Sequence, residues 1–226
     1  LAPQSFGMRL LKHISAILII VAPVAFIALT PAPALAYSGS TAASYADYYW
    51  NKRNSNYDTY ISDDCADFVS QALHDPNAGG NFHYVGTPLT ISSSDDTQWW
   101  MSWSSLRGFH WTNSFVRVVD LYQFLMVHYP GGWYEGSASS LSQQQATYTP
   151  DSVVTGDLLF YDWDSNGVLD HVGIQVGWGT DPGSGWYGNY QDQHTTDRSH
   201  AFWSLLPYNS QWATTTINFV HVDAGN

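Results

Sequence analysis

The chain has 226 residues, of which 44% are hydrophobic and only 12% charged, so it lies outside the polar, charge-rich range of disordered chains. Seven Lys and Arg against 19 Asp and Glu leave a formal charge of −12, the wrong sign for gripping a nucleic acid by its phosphates and a poor match to an anionic membrane surface. One cysteine, Cys65, excludes an intramolecular disulfide framework and a zinc site built on several thiolates.

From Met8, the basic residues Arg9 and Lys12 precede an apolar run that ends at Ala34-Leu35-Ala36. A basic start, an apolar middle and small residues before a cut make a secretory signal peptide over residues 1–36, with cleavage before Tyr37. Pro23, Pro31 and Pro33 argue against an uncleaved membrane anchor, and residues 1–7 are read as lying upstream of the true start. The expected product is a secreted, monomeric, single domain over 37–226, more acidic still once both signal cations are gone. A lone thiol exported to an oxidising compartment is either buried or used.

Ala42, Tyr45, Ala46, Tyr49 and Trp50 recur at helical spacing and predict a helix over 41–51. A polar, turn-rich stretch follows. Cys65, Ala66, Phe68, Val69, Ala72 and Leu73 then give the spacing of a helix with one buried face, with Ser62, Asp63 and Asp64 as capping candidates, so Cys65 falls in the first helical turn. Residues 75–114 have no clear period and read as a long surface excursion crowded with Trp99, Trp100, Trp103, Phe109 and Trp111. Val118, Leu121, Leu125 and Met126 predict a helix at about 114–128, stopped by Pro130-Gly131-Gly132. Beyond residue 152, β-rich runs appear at 153–161, 171–178, 186–194 and 214–222, with a Gly/Pro/Asp/Ser turn at 179–185 joining the middle pair as a hairpin. Helices first and strands afterwards predict an α+β domain with an antiparallel sheet.

A thiol in the first turn of a helix has backbone N–H groups and the positive dipole end beside it, which favour thiolate, whereas Asp63, Asp64 and Asp67 oppose it unless they point away. Such a nucleophile needs a base. Strand alternation puts Val172, Ile174, Val176 and Trp178 on a core face and His171, Gly173, Gln175 and Gly177 on a nearly bare one, where an imidazole has room to take the thiol proton. Asp170 points to the opposite face. A third polar residue must come from the next strand. Pairing Gly179 with Trp186 brings His194 and Asp192 to His171, and pairing Trp178 with Trp186 brings Gln193, Gln191 and Asn189 instead.

Asn54-Ser55-Asn56-Tyr57, Asp63-Asp64-Cys65-Ala66-Asp67-Phe68-Val69-Ser70-Gln71, Gly156-Asp157-Leu158-Leu159-Phe160-Tyr161-Asp162, Asp170-His171-Val172-Gly173-Ile174 and His194-Thr195-Thr196-Asp197-Arg198 occur in that order. The series resembles the bacterial putative amidase domain family, relatives of CHAP-type and papain-like cysteine peptidases, over about residues 44–222. The resemblance implies a papain-like core, with a helix bearing the nucleophile Cys65 packed on an antiparallel sheet that bears the base His171, and His194 as third member. It also implies Tyr57 beside the cleft, helping the N–H of Cys65 to bind the scissile carbonyl. The activity it implies is amide hydrolysis through a thioester, with peptide or peptidoglycan as substrate and no cofactor required. Alanine at 66, where the family commonly has a small polar residue, is a departure from the pattern.

Asp162, Asp164, Asn166 and Asp170 with Gly167 follow the spacing of a calcium loop, but Gly173 stands where the bidentate glutamate belongs. An acidic turn that positions His171 is the preferred reading over a Ca2+ site. Trp103 and Trp111 are candidates for substrate contact, and the same Trp-rich loop supports the alternative of a non-catalytic glycan- or peptide-binding domain. His74, His83, His110, His128, His200 and His221 show no ligand spacing with acids and read as structural or solvated.

Overall fold

The computed structural model describes residues 37–59, 63–139 and 147–223. The signal-peptide reading of 1–36 lies outside the described residues. Helix α1 (Gly39–Tyr49) and helix α2 (Cys65–His74) come first. A small hairpin, β1 (Met101–Ser104) with β2 (Gly108–Trp111), interrupts the long excursion. Short helices α3 (Asn113–Val116) and α4 (Val118–Gln123) follow, running into a π-helical segment, Phe124–His128. The remaining strands are β3 (Gly132–Ser139), β4 (Leu158–Asp162), β5 (His171–Thr180), β6 (Tyr187–Gln193), β7 (Arg198–Phe202) and β8 (Thr216–Val222). They form one six-stranded sheet in the order β3-β8-β4-β5-β6-β7, with every pairing antiparallel. The α+β class follows directly. Among the described residues no helix is long and apolar enough to cross a membrane.

The centre of the sheet is buried on both faces. Leu158, Phe160, Val172, Ile174 and Val220 alternate toward α1 and α2, whose Tyr45, Phe68, Val69 and Leu73 complete one core. Leu159, Tyr161, Ile217 and Phe219 point the other way and meet Trp203 and Leu205 in a second core. A strand buried on both faces reads as an unbroken apolar run, which is why Leu158-Leu159-Phe160-Tyr161 lacks alternation.

Several expectations are corrected. The helix expected over 114–128 is broken, because Arg117 adopts extended backbone (φ −123°, ψ 133°) between α3 and α4. Trp178, expected in the core, is 61% exposed, since the ladder shifts register between Gln175 and Gly177 and carries the rest of β5 past the core. Strands β3 and β7, which the sequence reading missed, are the two edges of the sheet. Trp99 and Trp100 are fully buried, leaving Trp103, 63% exposed, as the outward member of that trio.

Candidate active site

Cys65 opens α2, with Asp64 at the N-cap. The cap carboxylate does not bond the helix. It is held by Arg53, whose Nε lies 2.5 Å from Oδ2, by His194 Nδ1 at 2.8 Å and by the Thr195 hydroxyl at 3.1 Å. The Thr195 oxygen in turn accepts the Asp64 N–H at 3.1 Å. Arg53 spans onward to Asp197 with two bonds of 3.0 Å. Asp64 is thus engaged by Arg53, His194 and Thr195, although its charge still raises the thiol pKa. The inward-facing Asp67 is buried, and burial pushes its carboxyl well above the usual carboxylate range, opposed by a bond from Gln71. Asp63 is exposed and lines the cavity beside Cys65.

The thiol is 4% exposed. Burial pushes its pKa up to about 11, against the backbone N–H groups of Val172 and Ala66, which lie within hydrogen-bond reach of the sulfur and favour thiolate. Val172 follows His171 on β5, so this contact ties the helix start to the strand that bears the imidazole. Cys65 and His171 line one cavity of about 500 Å3, together with Asp63, Trp163, Thr195 and the segment 116–119. A second hollow of about 470 Å3 shares Val119 and Leu169 with it, and a third of about 140 Å3 shares Trp163 and Thr195, so the three form a groove past the thiol.

His171 is 3% exposed, and its Nε2 has no hydrogen-bond partner among the described residues. Its ring does bond the Gln193 side chain, which raises its pKa, although burial dominates and lowers it to about 4. Since Nε2 is free of partners, the bond must use Nδ1. Gln193 itself donates from Nε2 to Thr196 O at 2.8 Å and accepts at Oε1 from Gln191 Nε2 at 2.7 Å. Trp163 stacks on the imidazole with centroids 5.5 Å apart, and Tyr161 lies 5.6 Å away on the same side. Burial thus favours the neutral imidazole at rest.

The third position departs from expectation. Val176 is an extra residue in β5, since Gly177 pairs with Tyr190 but Gln175 with Gln191. A ladder continued straight from the turn would set His194 opposite Gly173. The bulge moves it by one, so that one position past the Ile174–Asp192 pair Gln193 falls on the face of His171. His194 instead bonds Asp64 and Tyr49 O and stacks on Phe68 at 3.9 Å. Nor is the face of His171 bare, because the Gln191 amide fills the space where Gly173 would carry a side chain. Tyr57 is buried against Phe115, with ring centroids 6.2 Å apart, and is not among the residues lining the cavity. Trp103 and Trp111 lie on the β1–β2 hairpin and are likewise absent from its lining.

Asp162, Asp164 and Asp170 offer oxygens within 4.8 Å of one another. The turn also closes on its own backbone: Asp162 accepts the N–H groups of Asn166 (3.1 Å) and Gly167 (2.8 Å), Asn166 Oδ1 accepts that of Val168 (2.7 Å), and Asp170 accepts that of Trp163 (2.9 Å). The last bond places Trp163 over His171. Sequence reasoning missed Gln193, Trp163 and Arg53. Of these, Gln193 had a signal, since it stood in one of the two registers the hairpin allowed.

A family model described as putative amidase domain matches residues 36–219. Over 143 residues the chain is 29% identical to Uncharacterized protein YhbB of Bacillus subtilis (strain 168), a stretch covering 63% of this chain and 38% of that protein. The matched stretch is thus well under half of the relative. No solved structure matches the chain.

Proposed function

We propose, from the premise that the chain belongs to the putative amidase domain family, that it is an exported cysteine hydrolase with a papain-like arrangement, cleaving amide bonds in peptidoglycan stem or cross-bridge peptides. The carrying observation is that His171, whose buried Nε2 has no partner among the described residues, lines the same cavity as Cys65. An imidazole nitrogen left without a partner in a protein interior is costly unless it is used. Export is supported by the order of charge and apolar residues over 8–36.

In the proposed reaction the Cys65 sulfur attacks the scissile carbonyl carbon while its proton passes to His171 Nε2. The oxyanion forms beside the N–H groups of the first turn of α2, among them that of Ala66, which already points at the sulfur. Collapse breaks the C–N bond, and His171 returns the proton to the leaving amine, leaving a thioester. Water, deprotonated by the same nitrogen, then releases the acid and restores the thiol. Gln193 holds the imidazole through Nδ1 as the charge on the ring comes and goes. No cofactor enters these steps.

The test is mass spectrometry of purified peptidoglycan fragments after incubation with the protein. Each cut should add one water and expose a new amine, and Cys65→Ser, checked for an unchanged melting temperature, should give none. Cleavage that persists in Cys65→Ser would sink the nucleophile assignment. Failure on peptidoglycan with cleavage of a general peptide library would overturn the substrate alone.

A further inference from the structure

Outside the residues that line the groove, helix α1 meets strands β6 and β7 through three residues whose ligand atoms all lie within 4.8 Å of one another: Asp47, Asp192 and His200. Asp192 is 0% exposed, yet its Oδ2 has no hydrogen-bond donor. Its other oxygen is fixed by the His200 N–H at 2.6 Å, which aims Oδ2 toward the Asp47 carboxylate. His200 Nε2 reaches Asp47 at 2.8 Å, and its ring is steadied by stacking on Tyr190, with centroids 4.2 Å apart. Two carboxylates facing each other without a donor need a cation or a shared proton between them.

We propose that Asp47, Asp192 and His200 bind a divalent metal ion of the zinc class, which clips α1 to the edge of the sheet. One imidazole nitrogen with two carboxylate oxygens suits zinc or a neighbouring first-row ion rather than calcium or magnesium, which take all-oxygen shells. The ligand atoms are Asp192 Oδ2, His200 Nε2 and one Asp47 oxygen, and the fourth position opens to solvent, because Asp47 and His200 are both partly exposed. The backbone N–H on Asp192 Oδ1 is the outer bond that orients a monodentate carboxylate. A second trio, Glu135, Asp157 and His221, also holds an unpartnered oxygen, Glu135 Oε2, but its fully buried carboxylate is already spent. Asp157 there already spends one oxygen on His221 Nδ1 at 2.9 Å and the other on the Val154 N–H at 2.7 Å.

The experiment is thermal unfolding of the full protein with and without Zn2+, paired with Co2+ absorption spectra. Saturating Zn2+ should raise the melting temperature by about 5 °C. Co2+ should give the intense visible bands of a low-coordinate site. Asp47→Asn and His200→Ala, both at partly exposed positions that do not threaten folding, should each weaken Zn2+ binding at least about tenfold and abolish the Co2+ bands. The proposal is overturned if Zn2+ up to millimolar leaves the melting temperature unmoved, if the rise survives in both variants, or if it follows His221→Ala or Asp164→Asn instead. A rise from Ca2+ that equals the Zn2+ rise and ignores His200→Ala overturns the donor set.

Discussion

Gln193 bonds the ring of His171, whose Nε2 has no partner among the described residues, and His171 lines one cavity with Cys65. Gln193→Ala should lower kcat by about 10- to 100-fold, the loss expected from removing one buried hydrogen bond of about 1–3 kcal/mol. KM should move less than kcat, because Gln193 lines only the smallest of the three hollows and not the cavity of Cys65. Steady-state kinetics on wild type and on Gln193→Ala and Gln193→Asn check this. Equal falls in kcat and melting temperature, with no change in pH profile, would mark a merely structural residue.

His171 must be neutral to take the thiol proton, and burial lowers its pKa to about 4. The acid limb of kcat/KM should therefore fall near pH 4 rather than near the ordinary histidine value of about 6.5. Stability follows the same sign. The unfolded chain binds this proton more readily, so the contribution of a neutral His171, about 3 kcal/mol, is present above about pH 6.5 and is lost as pH falls toward 4. Chemical denaturation across that interval measures it.

Burial holds the Cys65 thiol up to about 11. At pH 8 Cys65 should react with iodoacetamide more slowly than free cysteine, even though Cys65→Ser removes activity. Slow alkylation and efficient turnover are compatible when the proton leaves only as substrate arrives, and stopped-flow alkylation decides the point. Alkylation faster than free cysteine at pH 6 would instead indicate a standing thiolate–imidazolium pair.

Asp64→Ala should destabilise the fold by about 2–4 kcal/mol, because it strips Arg53 and His194 of their shared buried carboxylate. Urea melts measure the loss. Arg53 keeps Asp197, which limits the damage.

Trp100→Ala should cost about 3–5 kcal/mol as a core deletion, and Trp103→Ala, on the exposed side of the hairpin, less than about 0.5 kcal/mol. Binding lost on Trp100 truncation would thus report unfolding, so only the Trp103 variant tests a glycan-binding role.

Both early helices were legible because each carries one clean apolar stripe, and their observed ends fall within two residues of the expected ones. Strands β4, β5 and β8 were legible because they lie in the middle of the sheet, where burial demands Leu, Ile, Val and Phe, and β6, which carries none of these, was legible from the turn that pairs it with β5. The edges β3 and β7 pair on one side only and carry Gly, Ser, Glu and Arg, so their sequences give no strand signal. Cys65 and His171 stood out from position and alternation. Gln193 did not, since one bulge residue, Val176, decides which side chains meet the imidazole, and local sequence does not announce a bulge. His200 and His221 find their acid partners across the fold, where spacing along the chain is silent.

The stop at Arg117 separates two tasks. Sulfur and imidazole stand on a helix and a strand locked into the interior, whereas Val116, Arg117, Val118 and Val119 edge the groove from the break between two short helices. Under the proposed chemistry, substitution at those four positions should change which acyl partner is accepted more than it changes the rate of the cut.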